Sequence, residues 1–334
     1  MGNVGMAARP FGSVLVAGAL CVGLFGCGGQ QAQEPSGAES SQTSEVVIYD
    51  ERPYQEALDA WASGSGDTTP HDDSQKSQEI QQAIESVIAP YKGSVSVVVS
   101  GVNGSDLECA VDAEVPRTSA SMIKLAILAT LFDAADSGTL SLDETVTTTS
   151  TDMVGGTGSI QSMGAGSAFT LEELAGYMIS DSDNTATNLL IDRLGMDAVN
   201  TEADKIGLDQ TVLERKMMDE DAMAAGQENY TSAEDVATVL RLVAEGRLTN
   251  QQYSDMAKGY LLAQSDVDGL LDGVPEGVDV AHKTGTLTNV EHDGGIVYAD
   301  EPYVIVVMTE GVPNDEATTL IGDVSAAVYE AITA

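Results

Sequence analysis

The feature that most constrains the fold is a run at residues 122–132 that contains no Gly or Pro and is apolar apart from Lys124 and Thr130. A segment of this length without helix breakers, apolar on nearly every side, predicts a helix that other elements must surround. Ser121 immediately precedes the run and is expected to open this buried helix. The chain therefore places a serine and a lysine beside its core.

Ser121 and Lys124 are three residues apart, which puts both side chains on one face of a helix. A desolvated lysine amine at this distance could take the serine proton and make the hydroxyl a nucleophile without histidine. The alternative is that Ser121 caps the helix and Lys124 is a solvated charge, the common situation for an isolated pair. Lys124 is one of seven lysines and lies in an otherwise apolar run, which favours the nucleophile.

The N-terminal region predicts export. Residues 11–25 form an apolar run of signal-peptide length, too short for a comfortable membrane span. The run ends in Leu24-Phe25-Gly26-Cys27, which resembles the site where bacterial lipoproteins are cleaved and lipidated, although Phe25 is bulky for that pattern. We expect a lipoprotein signal peptide at 1–26 and a lipidated Cys27, which would anchor an exported protein to the outer face of the cell membrane or keep it periplasmic. Ordinary signal cleavage is the alternative.

Composition changes again near residue 75. Residues 27–75 are rich in Gly, Gln, Ser and acidic residues and predict a flexible acidic tether, in which residues 49–62 could form a short amphipathic helix. Residues 76–334 are long enough for one large domain whose core needs no disulfide. Cys109 is the only cysteine of that domain, and its alternating surroundings predict a buried strand residue.

Strand patterns in residues 76–334 occur at both ends, and helix patterns fill the middle. Strands are predicted at 94–100, 107–112, 278–283, 294–298 and 303–309. Helices are predicted at 77–91, from Ser121 onward, and at 171–179, 185–194, 196–206, 233–245, 252–262 and 316–332. This order predicts an α/β (α+β) fold with one sheet assembled from both ends of the domain, a helical second lobe, and a cleft between them.

Two polar motifs fall at the expected rims of this cleft. Ser182-Asp183-Asn184 lies between two predicted helices, and Lys283-Thr284-Gly285 ends a predicted strand. Alone, the first would be a capping turn and the second a commonplace strand end. Their occurrence with Ser121-x-x-Lys124, in this order and using two of the seven lysines, favours a catalytic site.

The three motifs together resemble those of the class A serine β-lactamases and the penicillin-recognising D,D-peptidases. The likeness extends over about residues 77–334 and includes the segments 120–125, 170–175, 178–186 and 281–285. It implies an antiparallel sheet flanked by helices, with a separate all-helical lobe.

The resemblance also implies roles for individual residues. Ser121 would be the nucleophile, Lys124 its proton acceptor, and Ser182 the group that passes the proton to the leaving nitrogen. The substrate-binding residues would be Asn184, Lys283, Thr284, Gly285 and Thr286. The backbone N–H groups of Ser121 and Thr286 would form the oxyanion hole.

The chain departs from class A enzymes in the loop at 211–221. Class A enzymes carry a Glu-x-x-Leu-Asn segment there, whose glutamate activates the water that releases the acyl-enzyme, and no such segment can be placed here. The candidate replacement bases are Glu214, Asp219, Glu220 and Asp221. Each could equally be a solvated loop carboxylate. We therefore expect acylation to outrun deacylation.

Other chemistries lack support. The three histidines are far apart in sequence, His282 and His292 are expected to be structural with His292 in a turn, and no nucleotide-binding or zinc motif occurs. Neither a metal nor a cofactor is expected. The net charge of −39 argues against nucleic acid and against direct docking on anionic lipid. We expect a monomer that binds a β-lactam or a peptidoglycan stem peptide and meets the membrane only through its N-terminal lipid.

Two classes of function remain. The first is an exported serine hydrolase that opens β-lactam rings through a Ser121 acyl-enzyme, or a D,D-peptidase-like relative that acts on stem peptides and releases β-lactams slowly. The second is a non-catalytic lipoprotein that binds cell-wall fragments in the same cleft. The presence of Ser121, Lys124, Ser182 and Lys283 together favours an enzyme.

Overall fold

The computed structural model describes residues 74–334, so the predicted signal peptide, Cys27, the helix at 49–62 and nearly all of the tether lie outside the described residues. Its centre is an antiparallel five-stranded sheet of order β2-β1-β9-β8-β7. The strands are β1 Ser94–Gly101, β2 Glu108–Val111, β7 Val280–Leu287, β8 Val290–Val297 and β9 Tyr303–Glu310. Two small sheets pair β3 Arg117–Thr118 with β6 Tyr230–Thr231, and β4 Thr145–Thr147 with β5 Ala168–Thr170.

Helices cover both faces of the large sheet. They are α1 Ser74–Ile88, α2 Lys124–Asp136, α3 Ile160–Met163, α4 Leu171–Ser180, α5 Asn184–Leu194, α6 Met196–Lys205, α7 Glu220–Ala224, α8 Ala233–Ala244, α9 Gln251–Leu262 and α10 Asn314–Thr333. Short 3₁₀ helices occupy Ala120–Ile123 and Gly269–Gly273. Within residues 74–334, each helix is too short or too polar to traverse a bilayer.

The core has two apolar layers separated by the sheet. In β9, Ile305 and Val307 face a cluster formed with α1 and α10, whereas Val304 and Val306 face the cluster of the helical lobe. This division follows from the period-two alternation of side chains along a strand. Burial on both sides explains why the strand is almost uniformly apolar.

Helix α2 is the centre of the helical lobe, as its apolar run predicts. Every residue from 124 to 132 is buried, and the helix contacts α4, α5, α6 and α8. Local sequence starts the neighbouring helices: Thr170 and Glu173 form a capping box for α4, and the side chain of Asp183 caps α5. The predicted α/β (α+β) fold class is confirmed.

Two expectations near β7 and β8 are wrong. β7 continues through Lys283-Thr284-Gly285 to Leu287, and β8 begins at Val290, so the motif lies within a strand and not at its end. His292 is not in a turn but is buried in β8, where its Nε2 lies 2.9 Å from the Thr118 carbonyl oxygen and its Nδ1 lies 2.8 Å from the Glu291 carbonyl oxygen and 3.1 Å from the Thr309 nitrogen. Burial lowers the pKa of His292, although the Thr118 and Glu291 carbonyl groups oppose this shift. The first half of β8 is polar and is followed by two glycines, so its sequence does not indicate the buried strand that it forms between β7 and β9.

Cys109 is buried in β2, as predicted, with its Sγ 3.0 Å from the Ser77 carbonyl oxygen. Burial raises the pKa of its thiol to about 11. A thiol with this pKa is uncharged at neutral pH and therefore a poor nucleophile.

Candidate active site

Ser121 lies in the 3₁₀ turn Ala120–Ile123, and the α-helix begins only at Lys124. The expectation that Ser121 itself opens the α-helix is therefore wrong by three residues. Its side chain caps neither helix, and the preceding Ala120 has a positive φ of 45°. Such backbone strain in a non-glycine residue is costly and is found where the surrounding structure imposes it. The Ser121 hydroxyl is thus left available to Lys124.

Lys124 is completely buried and its amine is surrounded by oxygen atoms. Nζ lies 2.9 Å from Ser121 Oγ, 3.0 Å from Ser182 Oγ, 2.7 Å from the Ser182 carbonyl and 3.1 Å from Asn184 Oδ1. A protonated amine has three hydrogens for these four oxygens, whereas a neutral amine can accept a hydrogen from one of the hydroxyls. The geometry is therefore compatible with proton transfer from serine to lysine.

Burial holds the pKa of Lys124 well below the usual range for lysine. The nearby positive charge of Lys283 lowers it further, and the carboxylate of Asp183 opposes the shift. Desolvation is the largest cause because an ammonium ion loses its hydration in the interior. A neutral Lys124 is the form that can act as a base.

Ser182 connects the two lysines. Its Oγ is 3.0 Å from Lys124 Nζ and 3.1 Å from Lys283 Nζ, and its backbone has a positive φ of 50°. The following Asp183 fixes this turn by accepting from the Ala186 and Ile160 backbone N–H groups. Asn184 bridges Lys124 to the Gly155 carbonyl through its side-chain amide (3.0 Å to the carbonyl). One hydroxyl can thus exchange protons with either amine.

Strand β7 forms the other wall of the site. It is the outer strand of the sheet, so one of its edges carries backbone groups that no neighbouring strand pairs. A Cβ at Gly285 would lie 3.2 Å from the Ser121 backbone nitrogen and 3.1 Å from the Met122 side chain. Glycine therefore allows the strand to approach the nucleophile closely. Thr284 and the exposed Thr286 flank this position.

Lys283 is also completely buried, with Nζ 2.7 Å from the Thr284 carbonyl. Burial lowers the pKa of Lys283 to about 7, although Asp293 and Asp266 oppose the shift. Near neutral pH this amine exists in both protonation states. A substrate carboxylate beside it would favour the charged form.

The four candidate bases make no hydrogen bond to Ser121, Lys124 or Ser182. Glu214 accepts from the Glu228 backbone N–H, Asp219 caps α7, and Glu220 and Asp221 are exposed in the first turn of that helix. The assignment of any of them as a base stays a prediction, and none has a contact in the site that supports it.

The loop residue nearest to the site by its hydrogen bonds is Met217, which sequence reasoning missed. The Asn188 side chain accepts from the Met217 N–H (2.8 Å) and donates to the Met217 carbonyl (3.0 Å). Asn188 lies one helical turn after Asn184, on the face of α5 that contacts Lys124. This i, i+4 pair of asparagines was the signal that could have identified the contact. Met217 is only 7% exposed, and the next residue, Met218, packs against Gly156.

The arrangement supplies the parts of a metal-independent acyl transfer. Ser121 provides a hydroxyl, Lys124 a base whose charged form is disfavoured, and Ser182 a route for the proton. Lys283 places a second amine on the far side of Ser182, where it can pair with an anionic group. In the loop at 211–221, Met217 is buried and its backbone is held by Asn188, whereas the Met218 side chain is exposed.

Known proteins resemble this chain in sequence and fold. A model described as the Beta-lactamase enzyme family matches residues 79–332. A β-lactamase of Bacteroides uniformis is 24% identical over 279 residues, which cover 77% of this chain and 93% of that protein. The solved structure of a Sphaerobacter thermophilus β-lactamase is 29% identical, with a TM-score of 0.69, over 77% of this chain and 97% of that chain.

A solved variant of PBP-A, an acyl-enzyme complex with penicillin G, is also 29% identical, with a TM-score of 0.70, over 77% of this chain and 97% of that chain. These comparisons confirm the resemblance inferred from the three motifs. The chain belongs to the beta-lactamase enzyme family and is a serine β-lactamase-like hydrolase.

Proposed function

We propose that this protein is a hydrolase of the class A type that opens β-lactam rings through an acyl-enzyme on Ser121. The observation that carries the proposal is the placement of one buried amine, Lys124 Nζ, within 3.0 Å of both the Ser121 and Ser182 hydroxyls. A non-catalytic binding protein would have no need to keep a desolvated lysine between two serines. The family membership and the PBP-A acyl-enzyme support the same conclusion.

In the proposed acylation, Ser121 Oγ attacks the lactam carbonyl carbon while its proton moves to Lys124. The backbone N–H groups of Ser121 and Thr286 stabilise the negative charge on the carbonyl oxygen. Ser182 then donates its proton to the lactam nitrogen as the C–N bond breaks, and recovers a proton from Lys124. The product is an ester between Ser121 and the opened ring. Water must later hydrolyse this ester to release the enzyme.

Lys283 would hold the substrate carboxylate, together with Thr284. Its protonated form is favoured by an anion, and its position 3.1 Å from Ser182 Oγ places that anion beside the leaving nitrogen. Asn184 would contact the substrate's side-chain amide. These assignments follow the resemblance and agree with the short distances among the residues.

Intact-mass analysis after incubation with benzylpenicillin tests the proposal. One adduct of the mass of the penicillin is expected, because β-lactam opening by serine loses no atoms. Trypsin should place it on peptide 118–124, which follows Arg117 and ends at Lys124. Ser121→Ala should abolish the adduct, whereas Ser141→Ala, at an exposed serine outside the site, should not. An adduct that persists in Ser121→Ala would refute the assignment.

A second candidate is a D,D-peptidase-like enzyme that acts on peptidoglycan stem peptides and releases β-lactams slowly. The observation in its favour is that Asn188 holds Met217, and not a carboxylate, beside the helix face that contacts Lys124. Release of D-alanine from an acyl-D-Ala-D-Ala peptide, lost in Ser121→Ala, would establish this activity. Its absence in a protein that hydrolyses β-lactams rapidly would exclude it.

We also propose that the protein is exported, lipidated on Cys27 and tethered to the outer face of the cell membrane. The support is the apolar run at 11–25, the Cys27 site and the polar composition of residues 27–75. Cys27→Ala should move the protein from the membrane fraction to the soluble fraction. An unchanged membrane fraction would contradict lipidation.

A further inference from the structure

The face of β7 opposite Lys283 has acidic neighbours. Side chains alternate along a strand, so Thr284 and Thr286 point away from the side occupied by Lys283 and Gly285. The cavity on their side is bordered by Asp266, Asp268, Gly269, Thr284, Thr286, Glu291, His292, Asp293, Thr318 and Ile321. Of these lining residues only His292 could be cationic, and burial lowers its pKa. Thr284 and Thr286, which are expected to bind an anion, therefore border the same cavity as several carboxylates.

Glu291 fixes the direction of the Thr286 hydroxyl. The residues are directly opposite in the β7–β8 pairing, and Thr286 Oγ1 donates to Glu291 Oε1 at 2.6 Å. The other carboxylate oxygen accepts from Asn314 Nδ2 at 2.8 Å. Glu291 is 9% exposed, and burial raises the pKa of its carboxyl, whereas the hydrogen bonds from Thr286 and Asn314 oppose this shift. Both partners are hydrogen-bond donors, as an ionised carboxylate requires. The hydrogen of Thr286 is thus committed to Glu291, so this exposed hydroxyl offers a substrate only its lone pairs.

We infer that Glu291 is a positioning residue that sets substrate specificity through Thr286. It favours substrates that carry a hydrogen-bond donor or a positive charge beside the carboxylate, and it disfavours those with an acceptor or anion there. The inference rests on the proposed function, in which Lys283 and Thr284 hold the carboxylate. The outer edge of β7 lies between its two faces, so a substrate aligned along that edge can meet Lys283 on one face and Thr284 on the other. Thr286 lies two residues beyond Thr284 on the same face, about 7 Å away, where it would meet the substituent next to that carboxylate.

Two cephalosporins provide a matched pair of probes. Cephaloridine and cephalothin have the same acyl side chain and differ in the group carried by the ring carbon next to the carboxylate-bearing carbon, which is a pyridinium in one and a neutral acetoxy group in the other. The quantity to measure is the second-order rate constant of Ser121 acylation for each, by time-resolved intact mass. In the wild-type protein, the cephaloridine-to-cephalothin ratio should exceed the ratio of their rates of alkaline hydrolysis.

Glu291→Gln should reverse the polarity of this contact. Asn314 Nδ2 is a donor, so the glutamine carbonyl must face Asn314 and its NH₂ must face Thr286. Thr286 then accepts from glutamine and turns its own hydrogen toward the substrate. The acylation ratio should fall by about tenfold, the size of one charge-assisted hydrogen bond.

Glu202→Gln is the matched control, because Glu202 is 8% exposed but lies in α6 against Lys205. Its ratio should equal that of the wild type. In a Thr286→Val background, which keeps the backbone N–H, Glu291→Gln should change the ratio less than it does with Thr286 present, because only the charge effect remains.

Each outcome decides a different claim. An unchanged ratio in folded Glu291→Gln, or an undiminished effect in the Thr286→Val background, would overturn the role of Glu291 and leave Ser121 acylation intact. A wild-type ratio no greater than that of alkaline hydrolysis would overturn it even if Glu291→Gln does not fold. Absence of both a Ser121 adduct and hydrolysis with either cephalosporin would remove the proposed function and the inference together.

Discussion

A carboxylate introduced at position 217 should convert a slowly released acyl-enzyme into a catalyst that turns over. The proposed acylation uses Ser121, Lys124 and Ser182, and Lys124 Nζ lies within 3.0 Å of both serine hydroxyls. Deacylation also requires a base directed at a water molecule. The wild-type loop offers Met217 at the position that Asn188 fixes.

The expected rates follow from this missing group. General bases contribute about 10²- to 10⁴-fold, and enzymes typically turn over at about 10 s⁻¹, so wild-type deacylation should proceed at about 10⁻³ to 10⁻¹ s⁻¹. Asn184 contacts Lys124, and Asn188 holds Met217 one helical turn, about 5.4 Å, farther along α5. A glutamate side chain can span that gap. Met217→Glu should therefore raise turnover by about 10²-fold or more.

The substitution also has a cost in stability. Met217 is 7% exposed and packs in the core of the helical lobe, so a carboxylate there loses much of its hydration. We expect a loss of about 2 kcal/mol or more in the free energy of unfolding. Met217→Gln is the matched control, because glutamine has the same length as glutamate and also buries a polar group but cannot act as a base.

Stopped-flow measurement with a chromogenic cephalosporin distinguishes the outcomes. The wild type and Met217→Gln should show a burst of one equivalent followed by slow turnover, and Met217→Glu should show faster steady turnover. Wild-type turnover above about 10 s⁻¹ without a burst would refute the reasoning. Alanine substitution of Glu214, Asp219, Glu220 and Asp221 in turn would then identify the base, because only its loss should trap the acyl-enzyme.

Three further outcomes test the site. The second-order rate constant of acylation should fall as pH rises through about 7, because Lys283 loses the charge that holds the substrate. Lys283→Arg should remove this fall because arginine stays protonated, and a fall at the same pH in that variant would contradict the assignment. Lys124→Met should abolish measurable acylation but keep or raise the melting temperature, because it removes a completely buried amine, and acylation at the wild-type rate would exclude Lys124 as the base. Gly285→Ala should slow acylation at least tenfold with the fold retained, because its Cβ would lie 3.2 Å from the Ser121 nitrogen, and wild-type acylation would show that the strand can move away.

The sequence was sufficient to predict the parts of the fold with strong periodicity. The burial of α2 and the strands β1 and β9 follow from continuous apolar runs, which can be satisfied only inside the domain. Only the second half of β8 could be recognised, as the predicted strand at 294–298. Residues 291–295 of this strand read Glu291-His292-Asp293-Gly294-Gly295. In the folded structure the Asp293 carboxylate pairs with His282, and His292 contacts the Thr309 backbone nitrogen. Local pattern carries no information about such pairing.

The same distinction applies to the candidate site, where motif residues could be predicted and contacts between distant residues could not. Ser121, Lys124, Ser182 and Lys283 could be selected by motif and spacing, and the structure places their polar atoms in one connected group. The contact between Asn188 and Met217 joins residues 29 positions apart, and neither residue belongs to a motif. The hydrogen bond between Thr286 and Glu291 depends on the register of a hairpin whose strands were predicted too short.

The lowered pKa values of the two buried lysines are the opposite of what the negative charge of the chain would produce. A protein with a net charge of −39 would ordinarily raise the pKa of its lysines, yet burial lowers the pKa of both Lys124 and Lys283. Desolvation therefore outweighs the attraction of Asp183 for the first amine and of Asp293 and Asp266 for the second. The lowered pKa has a different consequence for each of the two lysines. Burial keeps the pKa of Lys124 low despite Asp183, in the form that can act as a base, whereas a bound carboxylate would restore the charge of Lys283. Binding of an anionic substrate above pH 7 should accordingly take up a proton, and its affinity should weaken as pH rises.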